Sequence, residues 1–160
     1  MLNTAKKKPD TLEEMDAARE DRYWDGLACA CEDRAFGASY LFGYAIEMAL
    51  KVALFRFRHV MPMADLRPEL TRVRLMAKTR GVRNLHDLSF WAETLLAERL
   101  GSGLPLDPIS AGILRAEVGA AAYHWSEVLR YRRSVAADRE CEELRGAYEE
   151  IVSLYPQLWS

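Results

Sequence analysis

The 160-residue chain lacks the features that define several large classes of protein. It contains only three cysteines, an odd number, so the disulfide framework of a small secreted domain is not expected. No apolar run follows the charged opening residues, which predicts that no signal peptide is present. The longest apolar stretch contains Glu47 and Lys51, so it makes a poor membrane span. These absences together predict a cytoplasmic protein with no membrane partner.

The chain also has little net charge, since 22 lysines and arginines face 24 aspartates and glutamates, giving −2 at pH 7. This balance argues against a general polyanion binder. The charge is nevertheless uneven, because positions 51 to 83 hold nine basic residues and only two acidic ones. A basic middle between acidic flanks is compatible with an anion-binding face, and equally with acidic and basic helices that lie side by side. The nine basic residues are Lys51, Arg56, Arg58, Arg67, Arg72, Arg74, Lys78, Arg80 and Arg83.

The motifs of the common enzyme classes are missing as well. The sequence contains no P-loop, dinucleotide-binding fingerprint, nucleophile elbow or zinc-binding pair of histidines. Cys29 and Cys31 are close in sequence, but on a helix their side chains point about 200° apart, which favours packing over metal binding. Adjacent pairs of glutamates lack the histidine partners of di-metal bundles and are predicted to be solvated. The sequence therefore predicts no metal site and no cofactor.

What the chain does contain is helical sequence separated by short breaks. Thr11 and Glu14 have the spacing of a capping box, Gly81 suits a left-handed helix end, and Asn84 and Asp107 are predicted helix caps. No segment alternates apolar and polar residues for long enough to indicate a strand. The prediction is an all-α, up-and-down bundle of five to six helices in one domain, residues 10–156, after a disordered tail at residues 1–9. The predicted helices span residues 10–32, 38–58, 68–80, 85–100, 109–133 and 138–154.

The second of these helices carries a polar stripe on otherwise apolar sequence. Tyr40, Gly43, Tyr44, Glu47 and Lys51 recur at spacings of three and four residues, so they share one face. A carboxylate in an apolar interior needs a partner, because an unpaired buried charge is very costly. The stripe is either a narrow solvent face with a Glu47–Lys51 surface pair, or a cleft or interface at which Gly43 permits close approach. Both interpretations stay open from sequence alone.

Three stretches of the sequence, "SYLFGYAIEMALKVALF", "NLHDLSFW" and "WSEVLRY", resemble the HEPN superfamily (higher eukaryotes and prokaryotes nucleotide-binding). In many of its bacterial members a helix of the pattern A-x-E-x-x-L-K-A leads to H-D-L and then to R-Y near the end of a long helix. The resemblance covers roughly Thr11 to Leu154, with Val52 where alanine is usual. The matching residues, in that order, are Ala45, Glu47, Leu50, Lys51, His86, Asp87, Leu88, Arg130 and Tyr131.

The resemblance implies a four- to six-helix bundle, often a homodimer, that is tied to RNA or nucleotide chemistry. It also implies a partner for the buried carboxylate, since Glu47 would meet Arg130, together with His86, across the bundle. The residues expected to carry chemistry are Glu47, His86 and Arg130. Those expected to contribute to binding are Tyr44, Lys51, Arg80, Arg83, Asp87 and Tyr131.

Catalytic members of the superfamily resemble metal-independent ribonucleases, with an arginine followed after four to six residues by a histidine. A histidine suits removal of the 2′-hydroxyl proton, and an arginine stabilises the charge that develops on the phosphate. No histidine follows Arg130, and the pair Arg80 and His86 spans a helix junction instead of one helical turn. His86 is equally compatible with a plain helix-cap role, whereas His124 is expected in the core or an interface and His59 in a loop. Whether the chain is an enzyme stays open.

Two hypotheses from different classes follow. The first is a HEPN-like protein that binds RNA or a nucleotide, as a metal-independent endoribonuclease or toxin component of a toxin–antitoxin or defence system. The second is a non-catalytic, dimeric interaction module paired with a nucleotidyltransferase-type or antitoxin protein. The polar stripe of the second helix and the segment "AAAYHW" are the surfaces expected to form a two-fold homodimer.

Overall fold

The computed structural model describes residues 10–125 and 138–160, and over these residues the fold is helical, with one isolated bridge between Thr11 and Asp65. The all-α prediction is confirmed for this part of the chain. Seven helices are present there, one more than the largest predicted number. They are α1 Leu12–Cys31, α2 Ala35–Phe57, α3 Arg67–Thr79, α4 Leu88–Gly101, α5 Pro108–His124, α6 Asp138–Ser153 and α7 Tyr155–Leu158.

Three of the predicted helix ends are confirmed, two by their hydrogen bonds and one by its backbone angle. The Glu14 amide donates to Thr11 Oγ1 at 3.2 Å and the Glu14 carboxylate accepts from the Thr11 amide at 3.3 Å, which completes the capping box. Asp107 Oδ1 accepts from two amides of the first turn of α5 at 3.0 Å each. Gly81 adopts a φ of 72° just beyond α3, in the left-handed region that favours glycine.

The predicted start of the fourth helix is wrong by three residues. Asp87, not Asn84, is the N-cap of α4, because its Oδ1 accepts from the Phe90 amide at 3.1 Å. Asn84 Oδ1 instead accepts from the His86 amide at 2.9 Å and closes a turn before the helix begins. Both residues are good cap formers, and sequence spacing alone did not distinguish them.

Two further boundaries differ from the prediction. Helix α5 ends at His124, because Trp125 turns to extended backbone (φ −117°, ψ 135°) and packs onto α2. The predicted helix over residues 109–133 is therefore interrupted at Trp125, and the rest of that prediction lies outside the described residues. The short helix α7 follows α6 and contains Pro156 in its first turn, where a missing N–H is tolerated. The predicted tail at residues 1–9 lies outside the described residues.

Helix α2 lies at the centre of the fold. It packs against α1, α4 and α6, while α5 covers α4 and α6. Its most apolar window of 18 residues is long enough to cross a membrane, but 72% of that window is buried inside the fold. Such burial is expected of a core helix, and it is compatible with a soluble protein.

Helix α3 stands apart from this packed body. Only Val73 and Ala77 of α3 are buried, and the helix contacts the other helices less closely than any other long helix does. The connection from α3 to α4, residues 80–87 (the α3–α4 loop), brings His86 back to α2. The polar stripe of α2 and the surface of α3 are thereby joined through one short loop.

Candidate functional site

Glu47 is buried on α2 and has two partners from this chain. Its side chain is 3% exposed. Lys51 Nζ, one helical turn further on, donates to Oε1, and His86 Nδ1 lies 2.8 Å from Oε2. The interpretation of Glu47 and Lys51 as a surface pair is therefore wrong. The carboxylate is buried where the α3–α4 loop contacts α2.

The electrostatics of this cluster keep the carboxylate ionised. Burial alone would raise the pKa of Glu47, but the hydrogen bond from His86 and the charge of Lys51 outweigh it, so the pKa lies below its ordinary value. Because an ionised carboxylate only accepts hydrogen bonds, Nδ1 of His86 carries the proton in this contact. The Lys51 ammonium also lies 4.9 Å from the centroid of the Trp91 ring, a cation–π contact.

The close approach expected at Gly43 is made by Trp125 of the same chain. A Cβ atom at position 43 would lie 1.9 Å from Trp125 Cδ1, so no other residue fits there. The Trp125 indole N–H donates to the Tyr40 carbonyl at 3.2 Å, and its ring meets Tyr44 edge-on at 5.3 Å. Trp125 of the same chain thus covers part of the polar stripe that was predicted to contact a second copy. The homodimer stays a prediction.

Tyr44 belongs to the same cluster through its ring contacts. Its ring centroid lies 6.0 Å from that of His86, and its hydroxyl accepts from Tyr40 at 3.3 Å. Arg130, which the resemblance places beside Glu47, and Tyr131, an expected binding residue, lie outside the described residues. The contact between Glu47 and Arg130 therefore stays a prediction.

The remaining expected site residues lie along the α3–α4 loop. Asp87 caps α4, which gives its carboxylate a structural task. Arg80 Nη1 donates to Thr94 Oγ1 at 3.2 Å, and Arg83 is exposed. Among the described residues Glu47 bonds Lys51 and His86 but neither of these arginines, so the arginines belong to a neighbouring surface.

The neighbouring surface contains basic residues that have no acidic partner in the described part of the chain. Of the nine lysines and arginines between positions 51 and 83, five make ion pairs with carboxylates: Lys51, Arg56, Arg58, Arg67 and Arg72. The other four have no carboxylate within 4.0 Å among residues 10–125 and 138–160: Arg74, Lys78, Arg80 and Arg83. The sequence showed the excess of basic charge, but it did not show which charges the fold neutralises.

Three of these four residues line one groove. Arg74, Lys78 and Arg83 surround a shallow space of about 560 Å³ whose floor includes Val82 and Leu85; we call it the basic groove. It lies at the C-terminal end of α3, where the helix dipole favours cations, but that dipole is worth only about half a charge. Within the described residues no carboxylate neutralises these three side chains, so their charges are available to an anionic ligand.

A second groove of similar size has the opposite character. It measures about 590 Å³ and is lined by Glu13, Asp16, Glu20, Arg56 and Trp159, among others. Asp16 there is paired with Arg56 and with Arg19. The carboxylates of this groove are partly neutralised inside the fold, unlike the cations of the basic groove.

The other histidines and the cysteines do not form a metal site. His124 Nε2 lies 2.5 Å from Glu143 Oε2, so it is a satisfied, largely buried residue as predicted, and His59 lies in the turn after α2. Cys141 is buried, and burial raises its pKa. Cys29 is half-buried but Cys31 is exposed, so the prediction that these two cysteines pack is wrong for Cys31. No group of three or more potential metal ligands occurs within the described part of the chain.

Comparisons of the chain with models of protein families, with curated proteins and with solved structures find no match in any of the three. The function has to be inferred from the geometry of the Glu47 cluster and the basic groove.

Proposed function

We propose that this chain is a HEPN-like helical protein that binds a phosphate-bearing ligand, RNA or a nucleotide, in the basic groove. One observation carries the proposal: the groove gathers Arg74, Lys78 and Arg83, none of which has a carboxylate partner within the described residues. Arg67 and Arg72, on the same helix, do have carboxylate partners. Whether a basic residue of α3 has a carboxylate partner therefore depends on its position on the helix and not on its residue type.

Cations that lie around a concave surface, and that have no carboxylate partner in the described part of the chain, favour polyanions. Arginine offers a planar fork that matches two phosphate oxygens, and lysine adds a mobile point charge. The groove floor is partly apolar, which suits a ligand that carries a base or a sugar beside its phosphate. RNA and nucleotides share both features.

The HEPN resemblance supports the same surface. Its H-D-L motif, here His86 to Leu88, directly follows the loop that carries Arg83. Its A-x-E-x-x-L-K motif supplies Glu47, which His86 contacts. Two of the three stretches that carry the resemblance therefore lie next to the basic groove, and the third, with Arg130 and Tyr131, lies outside the described residues.

The test compares two double variants that remove the same charge from the same helix. Arg74→Ala with Lys78→Ala removes two groove cations, whereas Arg67→Ala with Arg72→Ala removes two cations that have carboxylate partners. Binding of a fluorescent, single-stranded oligoribonucleotide is followed by anisotropy over a range of salt concentrations. The slope of log affinity against log salt should become shallower by about 1.4 in the groove variant, since each lost phosphate contact on a single strand contributes about 0.7.

The control variant should keep nearly the whole slope of the wild type. Equal losses in the two variants would mean that net charge alone attracts RNA, and affinity that ignores salt would contradict the proposal. Binding of a nucleoside triphosphate in the same assay, by competition, decides between RNA and a free nucleotide as the preferred ligand.

Cleavage is tested separately, in the presence of a chelator. Removal of the 2′-hydroxyl proton by a base such as His86 and attack on the adjacent phosphate would leave a cyclic phosphate end. If the chain is a metal-independent ribonuclease, such products should form with the wild type and disappear with His86→Ala. Intact RNA in both reactions would make the chain a binding protein only.

A second candidate function is the non-catalytic interaction module, which would pair with a nucleotidyltransferase-type or antitoxin protein. It is favoured by apolar side chains that stand exposed where α4 turns into α5: Leu100 (69%), Leu104 (54%) and Ile109 (75%). Light scattering of the purified chain, with Leu100→Ser as the comparison, tests whether this face mediates self-association. A stable complex that depends on Leu100, together with no affinity for RNA at low salt, would favour this candidate over the first.

A further inference from the structure

Helix α3 is attached to the rest of the fold mainly at its two ends. At its start, the Leu66 amide donates to the Asp10 carbonyl at 2.8 Å, and Arg58 Nη1 donates to Glu69 at 2.6 Å. Its middle buries only Val73 and Ala77. The relative placement of the groove cations therefore depends on how the α3–α4 loop is held.

Among the contacts that hold the α3–α4 loop within the described residues, three lie on either side of Arg83. The Val82 amide donates to the Ala77 carbonyl at 2.9 Å and closes the end of α3. The indole N–H of buried Trp91 donates to the Leu85 carbonyl at 2.7 Å. His86 Nδ1 lies 2.8 Å from the buried Glu47 carboxylate, and the His86 ring meets that of Tyr44, so both contacts tie the loop to the central helix.

We propose that His86 is a positioning residue of the basic groove: its Nδ1–H···Glu47 hydrogen bond holds the α3–α4 loop so that Arg83 acts together with Arg74 and Lys78 on one phosphate-bearing ligand. This inference rests on the proposed function, since it concerns the same groove. It assigns to His86 a task that requires no contact with the ligand.

The physical reason is preorganisation. Cations that are already placed bind a polyanion without further loss of conformational freedom, whereas a loop that has to be ordered on binding lowers the affinity. Glu47 is a rigid anchor because it is buried on the central helix and also bonded to Lys51. The side chain of His86 is 34% exposed, so shortening it opens no closed cavity in the core.

The test uses His86→Ala and His86→Asn. Asparagine places an amide N–H near the position of Nδ1 and can donate to Glu47, whereas alanine cannot. We expect affinity for a single-stranded oligoribonucleotide to fall about tenfold in His86→Ala, as expected for losing a hydrogen bond to a charged group, and to stay within about threefold of the wild type in His86→Asn. His124→Ala, which removes the other histidine–carboxylate pair, is the matched control and should bind like the wild type.

A double-mutant cycle adds a measurement that a merely stabilising residue would not affect. If His86 positions Arg83, then Arg83→Ala should weaken binding strongly in the wild type and only slightly in the His86→Ala background. All measurements are made below the melting temperature of the least stable variant. Should His86→Ala fail to fold, the cycle is run with His86→Gln, whose longer side chain shifts the loop while it keeps a donor.

The outcomes separate the two proposals. Wild-type affinity in His86→Ala, or additive effects in the cycle, would overturn the positioning role. Loss of affinity in His86→Asn as large as that in His86→Ala would also overturn it, because the imidazole ring itself would then be required. If neither Arg83→Ala nor the Arg74/Lys78 double variant changes affinity, the groove is not the binding site and the proposed function fails first.

Discussion

The buried arginine of α1 and the arginines of the basic groove illustrate two uses of the same side chain. Arg19 is buried and donates to Asp16 at 2.7 Å, to Glu20 at 3.0 Å and to the Tyr148 hydroxyl. Arg74 and Arg83 are exposed and have no carboxylate partner within the described residues. The guanidinium of Arg19 therefore donates its hydrogen bonds inside the fold. Those of Arg74 and Arg83 can donate to a ligand.

The same difference holds for the packing of the two regions. The packed body, formed by α1, α2, α4, α5 and α6, surrounds a central helix whose residues are mostly buried. Helix α3 buries two side chains and keeps most of its surface in solvent. A charged residue is therefore expected to affect stability in the body and binding on α3.

The largest expected effect is that of Gly43→Ala in the packed body. Its Cβ would lie 1.9 Å from Trp125 Cδ1 and would expel the indole from its position on α2. We expect a loss of about 3–5 kcal/mol in the free energy of unfolding, comparable to deletion of a large buried aromatic side chain. Chemical denaturation monitored by circular dichroism gives this value.

The matched control for that variant is Gly119→Ala in α5. No atom of the described residues lies within 4 Å of its added Cβ, so the change should stabilise the helix by about 0.5–1 kcal/mol. If both glycine variants had similar stability, the close approach of Trp125 to α2 would be wrong.

Glu47→Gln is expected to have the next largest effect. It removes the charge that satisfies Lys51 and His86, and because His86 is partly exposed we expect a loss of about 2–3 kcal/mol, below the range for a fully buried pair. Since the pKa of Glu47 is lower in the folded protein, its stabilisation is present above about pH 4.5 and is lost as the pH falls through the folded-state pKa. The unfolding free energy of the wild type should therefore decrease more steeply below that pH than that of Glu47→Gln.

Hydrogen exchange sharpens the comparison without a substitution. Because α3 buries little, its amides should exchange through local opening at a free energy at least about 2 kcal/mol below that of the central amides of α2. Exchange measured by mass spectrometry on peptides from residues 67–79 and 42–55 provides the two values. Equal protection of both helices would contradict the peripheral position of α3.

The smallest effects separate the paired cations from the groove cations. Arg58 donates to both Glu98, at 2.8 Å, and Glu69, at 2.6 Å, so Arg58→Ala should lower the unfolding free energy by about 1–2 kcal/mol. Arg83→Ala should change it by less than about 0.5 kcal/mol, as at an unpaired surface position. Thermal unfolding of the two variants at equal protein concentration is sufficient to test this difference.

The sequence predicted the features that depend on local physics. The capping box at Thr11, the left-handed Gly81 and the cap at Asp107 follow from residue type and spacing within one turn. The requirement that Glu47 has a partner follows from the cost of burying a charge. His86 was among the partners expected for it, through the resemblance, and the structure places it there.

The sequence could not predict which of two suitable residues caps a helix, nor which distant segments contact each other. Asn84 and Asp87 are both suitable N-cap residues, and Asp87 takes this position because α4 begins at Leu88. Helix α5 ends at His124 because Trp125 packs on α2, and a contact between such distant segments cannot be predicted from the local sequence. The basic groove depends on which arginines find a carboxylate, and that is determined by the tertiary arrangement of the helices.

The contact between Gly43 and Trp125 also has an evolutionary consequence. Since the indole occupies the space of a side chain at position 43, a larger residue there is tolerated only after the residue at position 125 has become smaller. Lineages that descend from this chain are expected to change the two positions together and in that order, although the positions are far apart in sequence. A small–large exchange at these two sites would therefore identify diverged relatives whose overall sequence no longer reveals their ancestry.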